Sequence, residues 1–263
     1  MKSVAGAGVV VTGAGSGIGA ALARRFAAEG ARVVVNDLNA GAAAEVAAAC
    51  GPAATAVPGD AASEDGVAAL VGAAAAALGT IDLYCANAGV AVGQGVGPEP
   101  DWEASWQVNV MAHVRAARLL LPGWLDRGEG HLICTVSAAG LLTMLDAAPY
   151  SATKHAALAF AEWLAATYAH RGLTVQAICP QGVHTPLMHG SGPAAELILT
   201  ASAITPDTVA DAVMAGLADG RFLILPHPEV AGMYAGRAAD PDRWLRGMNK
   251  LQRRVEEATG AAG

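Results

Sequence analysis

The sequence predicts an α/β fold: one domain built on a doubly wound parallel sheet of about seven strands with helices on both faces. Three observations carry this. Short β-branched runs alternate with longer Ala-rich stretches from end to end. A glycine-rich turn joins the first β-branched run to the first Ala-rich stretch. No repeat, Pro/Ser-rich linker or break in composition divides the chain. Strands alternating with helices form right-handed βαβ units, whose parallel strands are covered on both sides.

In order, strands are expected at Gly8–Thr12, Arg32–Asn36, Ala54–Val57, Leu83–Ala86, Gly130–Val136, Thr174–Ile178 and Phe222–Leu225. Helices fill the gaps at Gly17–Glu29, Ala40–Ala49, Glu64–Leu78, Glu103–Leu121, Tyr150–His170 and Pro206–Ala218. Two segments depart from the alternation. Residues 186–205 interrupt the path to the last of these helices and read as a substrate lid. Residues 226–263 form a C-terminal tail in which Trp244 sits among charges, followed by an amphipathic helix and a frayed Gly/Ala end.

Composition narrows the class. Hydrophobic residues make up 54 % and charged residues only 15 %, which argues against disorder. The net charge of −7 argues against nucleic acid and anionic membranes as partners. No apolar run approaches the roughly 18 residues of a membrane span. The apolar N-terminal stretch runs directly into the glycine-rich turn and reads as the first strand. Cys50, Cys85, Cys134 and Cys179 are scattered without a Cys-x-x-Cys pair. Three of them fall in or at the ends of apolar runs and read as buried, reduced thiols, which makes the cytoplasm the expected compartment.

Tyr150 and Lys154 lie four apart in Tyr-Ser-Ala-Thr-Lys, with Ser137 thirteen residues upstream. On a helix, residues i and i+4 share a face, so the ammonium lies near the phenol. A neighbouring cation favours phenolate and is expected to bring the Tyr pKa down from about 10 toward neutrality. The turn Thr12-Gly-Ala-Gly-Ser-Gly-Ile-Gly19 opens the first helix, where a sheet of this kind binds pyrophosphate on helix amides. Gly13 would make the turn, Gly17 would admit phosphate to the backbone, and Gly19 would let helix and strand pack. Asp37 follows the second strand, 18 residues after Gly19. Its carboxylate suits the ribose hydroxyls of NAD and repels a 2′-phosphate, while neither Ser16 nor Leu38 offers a cation for NADP.

Turn and trio together resemble the short-chain dehydrogenase/reductase family, over nearly everything from the first strand to about Leu225. Further matches follow in order: Asp60, Asn87-Ala-Gly89, Asn109 and Pro180-Gln-Gly-Val-His-Thr185. The resemblance implies that Ser16, Gly17, Ile18, Gly19, Asp37 and Leu38 belong to the cofactor site. It implies that Asp60 and Ala61 contact adenine, while Asn87, Ala88 and Gly89 line the cleft. Pro180, Val183 and Thr185 would hold the nicotinamide, and Asn109 would anchor a water continuing a proton relay from Lys154. The family usually has Gly directly after that Pro, whereas this chain has Gln181 before Gly182.

The expected reaction is hydride transfer between NAD(H) and a secondary alcohol or ketone. Tyr150 serves as acid/base, Ser137 holds the substrate oxygen, and Lys154 tunes the Tyr and binds the nicotinamide ribose. Leu141, Leu142, Met144, Leu145 and the apolar residues of the proposed lid suit an apolar substrate. His184 and His189 have no clustered third ligand in the sequence, so no metal is expected. The family resemblance and the apolar helix after Tyr150 imply a homotetramer. Two alternatives are a 3-oxoacyl-thioester reductase and a non-catalytic NAD-sensing protein. Asp37 and the acidic charge weigh against the first, and the complete catalytic set weighs against the second.

Overall fold

The computed structural model describes residues 3–260. Seven parallel strands form one sheet: β1 (Gly8–Val11), β2 (Arg32–Val35), β3 (Ala54–Ala56), β4 (Leu83–Ala86), β5 (Gly130–Thr135), β6 (Leu173–Ile178) and β7 (Leu223–Ile224). Their order is β3-β2-β1-β4-β5-β6-β7, so the winding reverses between β1 and β4. Ligands of such sheets bind outside the strands' C-terminal ends at that reversal. Val9, Val10 and Val11 pair with Val33, Val34 and Val35, and all six are fully buried because both faces of the sheet are covered.

Helices α1 (Gly17–Ala28), α2 (Ala40–Cys50) and α9 (Pro206–Asp219) lie on one side of the sheet. On the other lie α3 (Glu64–Leu78), α4 (Glu99–Trp106), α5 (Ala112–Arg127) and α6 (Ala148–Tyr168). The small Ala side chains let helix backbones approach the sheet, giving a close-packed interior. Among the described residues, no helix is long and apolar enough to cross a membrane.

Four departures from the sequence expectations bear on the site. The long fourth helix runs past Pro122 to Arg127, and a π turn at Gln107–Met111 divides it into α4 and α5. The helix survives the proline because Trp124 beyond it is buried and donates its indole N–H to the Ile81 carbonyl at 2.8 Å. The helix expected from Tyr150, α6, begins at Ala148, with Pro149 in its first turn. The segment 186–205 contains short helices α7 (Pro186–His189) and α8 (Pro193–Leu199) and a 3₁₀ turn at Thr200–Ser202. The tail holds two helices, α10 (Glu229–Ala239) and α11 (Pro241–Thr259), where one was expected. The expected frayed end lies largely outside the described residues.

Candidate active site

At the winding reversal, side chains tie three strand ends together. The Thr12 hydroxyl accepts the Asn87 and Ala88 amides, both at 3.0 Å. Asn87 returns its side-chain amide to the Thr12 carbonyl at 2.9 Å and accepts the Thr135 hydroxyl at 3.0 Å. These bonds fix the floor of a cavity of about 1040 Å³. Gly13, Ser16, Gly17, Ile18, Gly19 and Asp37 line one end, and Ser137, Tyr150 and Lys154 line the same continuous space.

The nucleotide end needs its glycines. Gly13 has φ +60°, and a Cβ there would come within 2.8 Å of the Ala88 Cα. A Cβ on Gly19 would sit 2.3 Å from the Gly13 carbonyl oxygen. Ser16 caps α1 without a side-chain cap bond, and among the described residues no backbone carbonyl accepts the first-turn amides of Gly17 and Ile18. Open amides at the positive end of a helix suit a phosphate. Asp37 accepts the Gly15 amide on one carboxylate oxygen and the Asn39 amide on the other, both at 2.9 Å. Each oxygen keeps a further lone pair for a diol. The residues present therefore fit a dinucleotide.

Asn87, Ala88, Gly89, Pro180, Val183 and Thr185 also line the cavity. Leu38, Asp60, Ala61 and Asn109 do not. Leu38 is 77 % exposed, outside the cavity. The Asp60 carboxylate turns inward on its own loop and accepts the Ala62 and Ser63 amides at 2.7 and 3.1 Å. The Ser63 hydrogen bond, with those amides, holds its carboxyl below the usual range.

Asn109 sits in the π turn and is fully buried. Its amide donates to the Val90 carbonyl and the Thr153 hydroxyl, and its oxygen accepts the Val90 amide. A Cβ on Gly89 would lie 3.3 Å from that oxygen and 3.4 Å from Lys154 Nζ, so a larger residue there would crowd both polar groups.

At the catalytic end, Ser137 follows β5, and its hydroxyl oxygen accepts the Ala139 amide at 3.1 Å. Tyr150 is half-buried in the first turn of α6, and Lys154 lies one turn on, 3 % exposed. Lys154 Nζ donates to the Thr135 carbonyl at 3.0 Å and sits 5.6 Å from the Tyr150 ring centroid. Burial pushes Lys154 down to about 8. Burial also raises the Tyr150 phenol above its usual value, opposed by a hydrogen bond with Ser137. This differs from the sequence expectation that Lys154 would bring the phenol toward neutrality. The cause is desolvation, which disfavours the charged forms of both groups.

The loop after β6 resolves the glycine departure. Asp146 is the one non-glycine residue with positive φ among the described residues, so Gln181 occupies ordinary backbone. Its amide donates to His227 Nδ1 at 3.1 Å, and His227 Nε2 meets the Ser202 carbonyl at 3.1 Å. The acceptor at Nε2 fixes the tautomer: Nε2–H donates and Nδ1 accepts. One buried imidazole thus joins the Gln181 loop, the segment ending at Ser202 and the start of the tail.

Sequence reasoning missed the tail's part in the cavity. Met233 of α10 and Trp244, Met248 and Leu251 of α11 line it. The last three recur at intervals of four and three, one face of a helix, and only this spacing could have signalled the wall. Arg237 secures the arrangement by donating to the Leu141 and Leu142 carbonyls just past Ser137 and by stacking 5.0 Å over Trp244. His184 and His189 stack their rings 6.1 Å apart.

A doubly wound sheet, a phosphate-ready helix end and a Ser/Tyr/Lys group in one cavity define a dinucleotide-linked oxidoreductase. The short chain dehydrogenase family profile matches residues 7–196. Similar proteins include 1-deoxy-11-beta-hydroxypentalenate dehydrogenase of Streptomyces avermitilis, 39 % identical over 84 % of both chains. Cis-4-hydroxycyclohexanecarboxylate dehydrogenase of Sinomonas cyclohexanicum is 36 % identical over 69 % of this chain and 75 % of its own. A short-chain dehydrogenase/reductase of Burkholderia phymatum, solved with NAD, superposes with a TM-score of 0.84. It is 30 % identical, covering 92 % of this chain and 96 % of its own. The chain belongs to the short-chain dehydrogenase family. It is an oxidoreductase that interconverts hydroxyl and carbonyl groups.

Proposed function

We propose that the protein oxidises and re-forms an apolar, alicyclic secondary alcohol with NAD as hydride acceptor and donor. The observation that carries this is the opening of Ser137, Tyr150 and Lys154 into the cavity that also holds the α1 amides and Asp37. Bound NAD would supply the hydride acceptor, and its reduced form the hydride donor. Asp37 would select NAD over NADP by accepting from the ribose diol. The α1 amides would hold the pyrophosphate, and Gly89 and the Pro180–Thr185 loop would hold the nicotinamide.

In oxidation, the Tyr150 phenolate accepts the hydroxyl proton as the carbon loses hydride; in reduction, the phenol returns the proton to oxygen. Ser137 donates to the substrate oxygen, fixing it and stabilising developing charge. Lys154 would hold the ribose and pass the proton onward, and Asn109, whose side-chain oxygen accepts one bond, from the Val90 amide, would anchor a relay water. Segment 186–205 closes over the substrate together with the tail, excluding water. The relatives named for a hydroxypentalenate and a hydroxycyclohexanecarboxylate support a ring-borne hydroxyl.

The protein acts in the cytoplasm as a homotetramer. Trp106, Leu119 and Trp163, on α4, α5 and α6, are between 42 % and 53 % exposed and supply the apolar faces that subunits would cover. The test follows NADH absorbance over a panel of cyclic and linear secondary alcohols and an acyl thioester. Turnover of cyclic alcohols with NAD is expected. NAD binding without turnover of any alcohol, ketone or thioester would overturn the reading.

A further inference from the structure

Resting on that reading, we propose that the tail carries an anion subsite: Arg243 binds a carboxylate on the far side of the alcohol substrate. Among the described residues that line the cavity, Lys154 and Arg243 are the two cations. Lys154 belongs to the catalytic end. Arg243 is solvent-exposed at the cavity's rim, beside the junction of α10 and α11. Its guanidinium forms no ion pair or hydrogen bond with any described residue.

The helix itself does not account for this arginine. It occupies the first turn of α11, whose dipole opposes a cation. Of the tail-end carboxylates, Asp240 caps α11 by accepting the Arg243 backbone amide at 2.9 Å, and Asp242 stands beside Arg243 in the same turn without a hydrogen bond or ion pair to its guanidinium.

Room for a ligand adjoins it. Gly236 and Gly247 both line the cavity, and a Cβ built on either would meet nothing within 4 Å. Glycine inside a helix costs about 0.5–1 kcal/mol relative to alanine. Both glycines are solvent-exposed, so they mark the open rim of the cavity, where a ligand group could reach Arg243 without meeting a side chain. Gly247 stands one turn after Arg243, on the same helix face. The apolar stripe Trp244, Met248 and Leu251 runs alongside. Tyr150, the apolar stripe and Arg243 line one cavity, so an apolar ring system carrying both a hydroxyl and a carboxylate could meet all three. The guanidinium would take the carboxylate as a two-pronged, charge-assisted pair.

The test pairs hydroxylated cyclic and polycyclic carboxylic acids with their methyl esters as substrates of the intact protein with NAD. The acid should be preferred in kcat/KM by tenfold or more. Arg243→Gln should raise KM for the acid at least tenfold and leave the ester within twofold, and Arg243→Lys should restore part of the preference. Ester turnover with no preference for the acid, or an equal loss on both substrates in Arg243→Gln, would overturn the subsite and leave the alcohol dehydrogenase reading standing. Failure of the wild type to oxidise either substrate, or any other secondary alcohol, would overturn both.

Discussion

Lys154 Nζ lies 5.6 Å from the centroid of the Tyr150 ring and donates to the Thr135 carbonyl. The ammonium is thus held beside the phenol by strand β5 rather than by the phenol itself. In the free protein, burial holds the phenol above its usual value, and the hydrogen bond with Ser137 opposes that rise. For alcohol oxidation, kcat/KM should therefore climb with pH as the phenol ionises. Ser137→Ala should lower kcat about 10²–10³-fold, as loss of an oxyanion donor does. It should also move the climbing limb to higher pH. An unmoved limb in the pH profile would contradict the assignment.

Tyr150→Phe keeps the ring but removes the proton-transfer group. Turnover should fall at least about 10²-fold, the lower end for loss of a general acid/base. NADH binding measured by fluorescence should stay within a few-fold of wild type.

Asp37→Ala should narrow the NAD/NADP ratio of kcat/KM by tenfold or more, since the carboxylate that opposes a 2′-phosphate is gone. The variant also loses the acceptor for the Gly15 amide. NAD affinity should consequently fall as NADP affinity rises. A ratio equal to that of wild type would sink the role given to Asp37.

Two buried histidines predict acid sensitivity. Burial depresses His113 to about 3 and His131 to about 4. The unfolded chain binds these protons below about 6.5, whereas the folded chain refuses them. Their contribution is fully present above that pH and is lost as pH falls toward 3. At about 1.4 kcal/mol per pH unit, each costs several kcal/mol to charge in place. Neither ring nitrogen of His113 has a hydrogen-bond partner among the described residues. His113→Leu should move the acid-unfolding midpoint, followed by circular dichroism, to lower pH.

Arg237→Met should release the tail from the Leu141 and Leu142 carbonyls. KM for bulky alcohols should rise several-fold more than for small ones, with little change in kcat on small substrates. Equal effects on both would argue that Arg237 serves stability alone.

The sheet was legible because buried parallel strands must be apolar on both faces: Val9–Val11 and Val33–Val35 announce themselves. The cofactor end was legible for a related reason, since Gly13 and Gly19 stand where a Cβ would strike backbone. The π turn was not, because Gln-Val-Asn-Val-Met contains no helix breaker and Asn109's bonds to Val90 and Thr153 are long-range contacts. The proline at 122 misled for a similar reason: the burial of Trp124 that carries the helix past it is tertiary. Helix α10 was hidden because it contributes few buried residues and carries two glycines. The direction of the Tyr150 shift also lay beyond sequence, since spacing reports proximity and not desolvation.

The His227 imidazole, clasped between the Gln181 amide and the Ser202 carbonyl, divides the enzyme along its chain. On the proposed reading, proton transfer and cofactor choice reside before residue 186, and residues 186–260, which His227 pins to the Gln181 loop, supply much of the apolar lining of the cavity. A chimera that exchanges residues 186–260 for those of a relative, with His227 retained as the joint, should inherit the donor's taste in alcohols and keep this chain's allegiance to NAD.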